Sequence, residues 1–367
     1  MSLTCRTCFQ LDDPYVLDLI VNNKCARINN PCVDCRVFLL RQQEMPLTIA
    51  QSAIREAVNY VSSKKLPSLG IVLRGGDVTD SFELIRSIHI FAVKESPVPV
   101  NFLLDGCCGE CKNVGLLQWT KKHGVVLISN WTHELIGQSH IVNNDSPLPA
   151  YYYVGDKSLK YIADDVIKLY SMGFNNVAIR FLNVNHLASD SMGKKIVKDE
   201  IKRLLEYCKS SASLSVNLFD MSIKSKDFNN RKSLNCQAGD SCVCVDMDGA
   251  TYPCVRLSPM YLLRSISNDT RDHLNREFIE RNGERCYKCK IKSFCSDCLG
   301  DFLSELTGCE GFPNAFFSDN HCWLAKCLAK STFLYGMNLL EKENDRRNPI
   351  LIRNLDRLKE IVGGLTI

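Results

Sequence analysis

Short apolar runs alternate with segments of helical periodicity through the first two thirds of the chain. Short, continuous apolar runs are typical of strands that are buried on both faces of a sheet. The predicted strands are 16–22, 69–74, 98–104, 125–129, 176–181 and 213–219. The predicted helices between them are 46–63, 81–93, 113–122, 158–172 and 194–210, and 143–149 is predicted as a loop. Such alternation predicts an α/β fold whose parallel strands are joined by right-handed crossovers.

Six strand–helix units are too few for a closed eight-unit barrel, so we expect an open, partial (β/α)6 barrel of the TIM type. In full barrels the chemistry lies at the carboxyl ends of the strands. Several polar or glycine-rich segments fall at such ends here: the residues after the first strand, Gly75-Gly76-Asp77, Asp105 and Ser129. The sequence therefore predicts a site at this edge of the sheet.

The composition changes near residue 225, after which the alternation stops. A polar linker, 224–232, is followed by eleven cysteines between Cys236 and Cys327. Residues 243–254 predict a hairpin with an Asp-Gly turn. We divide the chain into four parts. They are an N-terminal segment (1–15), an α/β core (16–223), a cysteine-rich domain (233–335) and a C-terminal helical tail (336–367).

Charge and cysteine content exclude several classes of protein. A formal net charge of +4 over 367 residues is too small to predict nucleic-acid binding. No apolar run approaches the roughly 18 residues of a membrane span, and no signal peptide precedes the first strand. Twenty cysteines in so long a chain favour metal binding in a reducing compartment over a disulfide scaffold. We therefore expect a cytoplasmic protein that does not bind nucleic acid or membranes.

Three cysteines, Cys25, Cys32 and Cys35, directly follow the first strand. Three thiolates can hold three irons of a [4Fe–4S] cube and leave the fourth iron open to a ligand. About forty residues later, Gly75-Gly76-Asp77 follows the second strand. Because glycine has no side chain, the backbone there can come close to such a ligand.

These motifs resemble the radical S-adenosylmethionine (SAM) enzymes, and the region from Cys236 onward resembles the SPASM extension of that superfamily. The resemblance covers residues 16–335. Four details depart from the usual pattern. Six residues separate Cys25 from Cys32 where the family usually has three, and Arg36 stands where an aromatic residue usually follows the third cysteine. Asp77 stands where the family usually has glutamate, and two residues rather than three separate Cys295 from Cys298.

The resemblance implies three [4Fe–4S] clusters, with SAM as the second cofactor. Cys25, Cys32 and Cys35 would bind the radical-generating cluster. One auxiliary cluster would be bound by Cys236, Cys242, Cys254 and Cys298. The other would be bound by Cys286, Cys289, Cys295 and Cys322, with Cys309 or Cys327 as alternatives to Cys322.

The resemblance also assigns roles around SAM. Gly75, Gly76 and Asp77 would hold its methionine end, and Ser129 and Arg180 would meet its ribose or carboxylate. Asp105 is the candidate catalytic residue, although it also suits the opening of an Asp-Gly turn.

The function that this resemblance implies is modification of a ribosomally made peptide, by a crosslink such as a thioether or by a related oxidation. The expected partners are the peptide or protein substrate, an electron donor such as flavodoxin or ferredoxin, and a separate leader-binding protein. An alternative enzyme resembles the anaerobic sulfatase-maturating enzymes, which form formylglycine. An alternative of another class is a non-catalytic metal-binding scaffold.

Several residues carry two interpretations. The Cys286–Cys298 motif also suits a structural zinc ribbon. The thiols of Cys107, Cys108 and Cys111 are either ordinary loop thiols or functional groups at a strand end. The run 151–153 of three tyrosines either packs in the core or lines a peptide groove. The seven histidines have no paired metal spacing and predict no site.

Overall fold

The structure, a computed structural model, describes residues 13–24, 43–109, 111, 113–138, 149–181, 190–211, 214–216, 241–255, 258, 319–341 and 348–363. Its strands are β1 (Val16–Ile20), β2 (Leu69–Arg74), β3 (Val100–Cys108), β4 (Val126–Trp131), β5 (Pro149–Val154), β6 (Asn176–Phe181), β7 (Ser215–Val216), β8 (Cys242–Val245) and β9 (Thr251–Tyr252). Its helices are α1 (Leu47–Ser63), α2 (Phe82–Glu95), α3 (Val114–His123), α4 (His133–Gln138), α5 (Ile162–Ser171), α6 (Ser191–Ser210), α7 (Asp319–Glu341) and α8 (Pro349–Gly363). Two 3₁₀ turns, Val78–Ser81 and Asp156–Tyr161, precede α2 and α5.

One nine-stranded sheet organises these elements, in the order β7-β6-β5-β4-β3-β2-β1-β8-β9. The strands β1 to β7 lie side by side in chain order, and every pair among them is parallel. The strand β8 joins the other side of β1 in parallel, and β9 pairs with β8 in the antiparallel direction. The predicted α/β class is therefore confirmed.

The two faces of the sheet bury different residues. Outward-facing residues of β1–β4 form one core with α1, α2 and α3, and those of β5–β7 form a second core with α5–α8. The opposite face has a smaller apolar layer with one residue from each of six strands. This layer consists of Val16, Val72, Leu103, Ile128, Tyr151 and Ala178.

The prediction of six strands in the core was wrong, because β5 includes the end of the predicted loop and the tyrosine run 151–153, which was not predicted as a strand. Tyr151 and Tyr152 are fully buried, so the packing interpretation of these two tyrosines holds. The short helix α4 was also missed. The sixth predicted strand, 213–219, corresponds to β7, of which the structure describes only Ser215–Val216.

The hairpin predicted at 243–254 is present as β8 and β9, and it extends the main sheet at β1. The predicted boundary between core and cysteine-rich domain falls within 217–240, outside the described residues. The helix α7 begins well before the predicted helical tail and packs against α6 and α8. Among the described helices, none combines the length and apolar character that crossing a membrane requires.

Candidate functional site

Asn22, just beyond β1, holds the turn that follows β2. Its Nδ2 donates to the Asp77 carbonyl at 2.9 Å and to Oγ of Ser81 at 2.7 Å. Its Oδ1 accepts the Gly76 N–H at 3.1 Å. Asn22 is fully buried, so one amide side chain satisfies groups within and just after the diglycine turn.

The diglycine allows the two chain segments to touch. A Cβ on Gly75 would lie 2.5 Å from Oδ1 of Asn22, and a Cβ on Gly76 would lie 2.6 Å from the carbonyl carbon of Lys24. The Asp77 N–H donates to that Lys24 carbonyl at 2.6 Å. Only glycine fits so close an approach of backbone to backbone. We call Asn22, Gly75 and Gly76 the latch.

The two ends of the segment that carries Cys25, Cys32 and Cys35 are fastened to each other. The Gln43 N–H donates to Oδ1 of Asn23 at 2.5 Å, and the Asn23 N–H donates to the Gln43 carbonyl at 3.2 Å. Nζ of Lys24 lies 2.9 Å from Oε2 of Glu44. The intervening residues 25–42, including Cys25, Cys32 and Cys35, lie outside the described residues. Their loop therefore leaves from, and returns to, the carboxyl end of β1.

A second layer of side chains lies next to the apolar layer on the same face of the sheet. Side chains two positions apart on a strand point to the same face, and a polar residue follows each apolar-layer residue by two positions. This polar layer consists of Asp18, Arg74, Asp105, Asn130, Tyr153 and Arg180. It lies toward the carboxyl ends of the strands, where parallel α/β sheets bind their ligands.

Three charged members of the polar layer form a buried network. Nε of Arg74 donates to Oδ1 of Asp18 at 2.7 Å, and its Nη1 donates to Oδ2 of Asp105. The three side chains are 7%, 3% and 9% exposed, respectively. Two carboxylates share one guanidinium, and a buried ion pair seldom adds stability over apolar packing. The network is therefore a candidate for binding or chemistry, and Asp105 is the one member of it that the sequence predicted.

The strand β8 brings two cysteine thiols to this network. Sγ of Cys242 donates to Oδ2 of Asp18 at 3.4 Å, and Cys244 is the register partner of Asp18. Burial, with smaller contributions from Asp18 and Cys254, raises the pKa of both β8 thiols well above the ordinary value. Cys242 and Cys254, predicted to share a cluster, therefore lie close enough to influence each other.

The remaining predicted SAM residues have different surroundings. Oδ1 of Asp77 accepts from N–H and Oγ1 of Thr79, at 3.0 and 2.6 Å, and so caps the following 3₁₀ turn. Burial raises the pKa of Asp77, and the hydrogen bonds from Thr79 oppose that rise. The Ser129 hydroxyl donates to the Gly109 carbonyl, and Ser129 is fully buried. Its side chain therefore holds the turn after β3 and belongs to neither layer.

Arg180, by contrast, lies in the polar layer. Its guanidinium carbon is 4.8 Å from the ring centre of Tyr151 and 5.6 Å from that of Tyr153. Its Nη1 also donates to the Tyr153 hydroxyl at 3.3 Å. The aromatic faces stabilise a cation that is only 7% exposed.

The neighbouring Asn130 was not predicted from the sequence. Its Oδ1 is buried and accepts no hydrogen bond within the part of the chain that the structure describes. A buried acceptor without a donor is costly, and such an atom is often completed by a ligand. Asn130 therefore offers the polar layer an acceptor that the predicted Ser129 does not.

Most predicted ligands of the two auxiliary clusters lie outside the described residues. They are Cys236 and Cys298 of the first cluster and Cys286, Cys289 and Cys295 of the second. Cys322 is described and partly exposed in the first turn of α7. Its alternative Cys327 is 6% exposed, and burial raises the pKa of that thiol to about 11. Among the described residues alone, no group of three His, Cys, Asp or Glu side chains is arranged to hold a metal ion.

Three further site residues were not predicted from the sequence: Asn22, Asp18 and Arg74. Asp18 gave a usable signal, because a carboxylate inside an otherwise apolar strand must find a buried partner. Arg74 stood next to the predicted diglycine as the corresponding cation.

Neither the protein-family models nor the curated proteins compared with this sequence match it. The function therefore has to be inferred from the motifs and from the geometry of the latch and the polar layer.

Proposed function

We propose that this protein is a radical SAM enzyme of the SPASM type, cytoplasmic, that modifies a ribosomally made peptide. The observation that carries the proposal is the latch, which fixes the start of the Cys25–Cys35 loop against the turn after β2. The loop and the Gly75-Gly76 turn thus lie at neighbouring strand ends, as the proposed binding of SAM beside a cluster requires. When bound, these cofactors supply a 5′-deoxyadenosyl radical that abstracts a hydrogen atom.

The architecture supports the proposal. The strands β1 to β7 are parallel and lie in chain order, as a partial (β/α) barrel requires, although with one strand more than the sequence predicted. Helices cover the outer face, and the polar layer lies toward the carboxyl ends on the inner face. A peptide bound at those ends would meet Asp105.

The unusual length of the first cysteine motif is compatible with this function. Loop-closure entropy grows only slowly with loop length, and the Asn23–Gln43 and Lys24–Glu44 contacts fasten both ends of the loop. Three extra residues therefore add little to the entropic cost of closing the loop, provided that the anchoring residues stay in place. Cys25, Cys32 and Cys35 would hold the radical-generating cluster.

The described residues also fit a SAM molecule in the polar layer. Oδ1 of Asn130 needs a donor, which a ribose hydroxyl or an amino group provides. Arg180 is a buried cation that suits a carboxylate. In this proposal Asn130 takes the role that the sequence suggested for Ser129, whose hydroxyl faces Gly109 instead.

An auxiliary cluster fits the surroundings of Cys242 and Cys254. The thiol protons there would be displaced on metal binding, as thiolate ligation requires. For the second auxiliary cluster we favour Cys322 over Cys327. Cys322 is partly exposed at the start of a helix, whereas the Cys327 thiol is packed in the core and hard to ionise.

The deciding experiment measures iron and sulfide per chain after anaerobic reconstitution, together with 5′-deoxyadenosine formed from SAM and dithionite. We compare the wild type with a variant in which Cys25, Cys32 and Cys35 are all alanine. We expect about twelve irons in the wild type, about eight in the variant, and loss of SAM cleavage only in the variant. As a matched control, Cys208→Ala removes a buried cysteine of α6 outside every proposed cluster and should keep full iron and cleavage.

Equal iron in the wild type and the triple variant, or zinc in place of iron, without SAM cleavage by either, would replace the enzyme with the metal-binding scaffold. A wild type that cleaves SAM can then be offered candidate peptides. Formylglycine formation on a sulfatase-derived peptide would favour the alternative enzyme over a crosslinking one.

A further inference from the structure

A second polar cluster lies on the outer side of the same end of the sheet, where α4 and α5 begin. Oδ2 of Asp165 accepts the Tyr152 hydroxyl at 2.5 Å and lies 2.8 Å from Nδ1 of His133. The His133 ring stacks on the ring of Tyr161, with the centroids 4.2 Å apart and the planes inclined by 5°. A carboxylate and an aromatic face therefore fix the orientation of this imidazole.

The electrostatics of the cluster determine which ring nitrogen of His133 is available. Asp165 is fully buried in the first turn of α5, and burial raises its pKa while hydrogen bonds from Tyr152 and His133 oppose the rise. Burial, together with the neighbouring Asp165, raises the pKa of Tyr152, so its hydroxyl stays a donor. Because the Asp165 carboxylate accepts both hydrogen bonds, Nδ1 of His133 keeps its proton and donates to Asp165, which leaves Nε2 for another partner. The side chain of His133 is 34% exposed, so that partner can come from outside the chain.

The cluster is not needed to join the two helices. Nζ of Lys168, on α5, donates to the Ile136 carbonyl at the end of α4, at 2.7 Å. Leu135 and Ile136 are also buried in the core beneath α5. The helices are thus already held by packing and by one hydrogen bond that does not involve His133.

We propose that His133 is a proton-transfer residue for the bound peptide, and that Asp165 and Tyr152 position it. His133 lies two residues beyond β4, at the strand end that contributes Asn130 to the polar layer. An imidazole oriented by a buried carboxylate is the arrangement that acid–base catalysis uses. In the step, an X–H bond of the peptide breaks, its electron pair stays on X, and the proton joins Nε2. Nδ1 keeps its proton and its hydrogen bond to Asp165.

This inference rests on the proposed function, because it takes the peptide to bind at the carboxyl ends of the strands. Other charged groups near the cluster will also affect any pH dependence. They are Glu134, Lys157, Lys160 and Asp164.

The test compares His133→Gln and Asp165→Asn with the wild type, once a modified peptide has been identified. Two rates are measured on each sample: 5′-deoxyadenosine formation and peptide product formation. For His133→Gln we expect the first to stay within about twofold while the second falls by about 10²–10⁴-fold, the usual contribution of a general acid or base. Asp165→Asn should lower product formation less and should shift the pH at which the product rate is half-maximal. As matched controls, Lys168→Met removes the hydrogen bond between α4 and α5, and His123→Gln removes an exposed histidine; both should retain product formation.

The ring itself can be examined without turnover. In the wild type, ¹⁵N NMR of the neutral imidazole should show Nδ1 protonated and Nε2 unprotonated, and Asp165→Asn should change that ratio.

The outcomes separate the two proposals. A wild type that cannot cleave SAM overturns the proposed function and this inference together. A wild type that cleaves SAM, with His133→Gln forming product at the normal rate, overturns the inference alone. Equal losses of both rates, with a lower unfolding midpoint, would make His133 a structural residue and would also overturn it.

Discussion

The substitution Gly76→Ala tests the latch most directly. The added Cβ would lie 2.6 Å from the carbonyl carbon of Lys24, which is backbone and cannot rotate away. The chain at 22–24 must therefore move. That movement breaks the hydrogen bond from the Asp77 N–H to Lys24 and the one from the Gly76 N–H to Asn22.

The size of the effect follows from those two hydrogen bonds. A buried group left without its partner costs about 1–3 kcal/mol, so the loss of both hydrogen bonds should lower the free energy of unfolding by about 2–6 kcal/mol. Domains are typically stable by only about 5–15 kcal/mol, so the change is easily measured. The assay is urea unfolding followed by far-UV circular dichroism, with the midpoint and the slope fitted separately.

The matched control is Gly137→Ala in α4, where an added Cβ would meet nothing within 4 Å. Alanine is favoured over glycine within a helix by about 1 kcal/mol, so this variant should equal or exceed the wild type in stability. If Gly76→Ala unfolds at the wild-type midpoint, the packing of residues 22–24 against the turn after β2 is refuted. If Gly76→Ala and Gly137→Ala lose the same stability, the loss cannot be attributed to the contacts of the latch.

Three further predictions concern Arg74 and Cys327, which are buried, and His89, which is half-buried. Arg74→Met leaves two buried carboxylates without their cation and should cost about 3–5 kcal/mol in urea unfolding. Burial and the neighbouring His123 lower the pKa of His89, so the folded state favours the neutral imidazole. The free energy of unfolding should therefore decrease as pH falls below about 6.5. His89→Phe should reduce the slope of unfolding free energy between pH 7 and 5. Burial raises the pKa of Cys327 from 9.0 to about 11, so stability should fall as pH rises through that window, and Cys327→Ala should remove this fall.

Strands bounded by clear signals could be predicted from the sequence to the residue. Both β2 and β6 have the predicted limits, because each has an apolar run at its centre and a polar segment on either side. The strand β5 was missed because three consecutive tyrosines do not identify a strand buried on both faces. The hydroxyl of Tyr152 becomes tolerable in the core only through Asp165, which is supplied by the following helix. Partners of this kind depend on tertiary structure and are not visible in a local pattern.

Some residues of the candidate site could likewise be predicted from the sequence, and others could not. Gly75 and Gly76 could be located from sequence because a glycine pair after a strand is a local signal. Their partner Asn22 could not, because its contacts depend on the pairing of β1 with β2. Likewise, each polar-layer residue follows an apolar one by two positions, but only the register of six strands shows that these pairs belong to two shared layers.

The hydrogen bonds of the site also connect two regions that the sequence assigned to separate domains. Cys242 donates to Asp18, Asp18 accepts from Arg74, and Arg74 directly precedes the diglycine that Asn22 holds. Two buried hydrogen bonds therefore connect β8 with the strand end that lies beside the start of the Cys25–Cys35 loop. If Cys242 served as a metal ligand, as proposed, it would give up its proton and Asp18 would lose that donor, leaving Arg74 as the neighbour from which Asp18 accepts. The Asp18 carboxylate would then link a metal site at the hairpin to the strand end that precedes the latch.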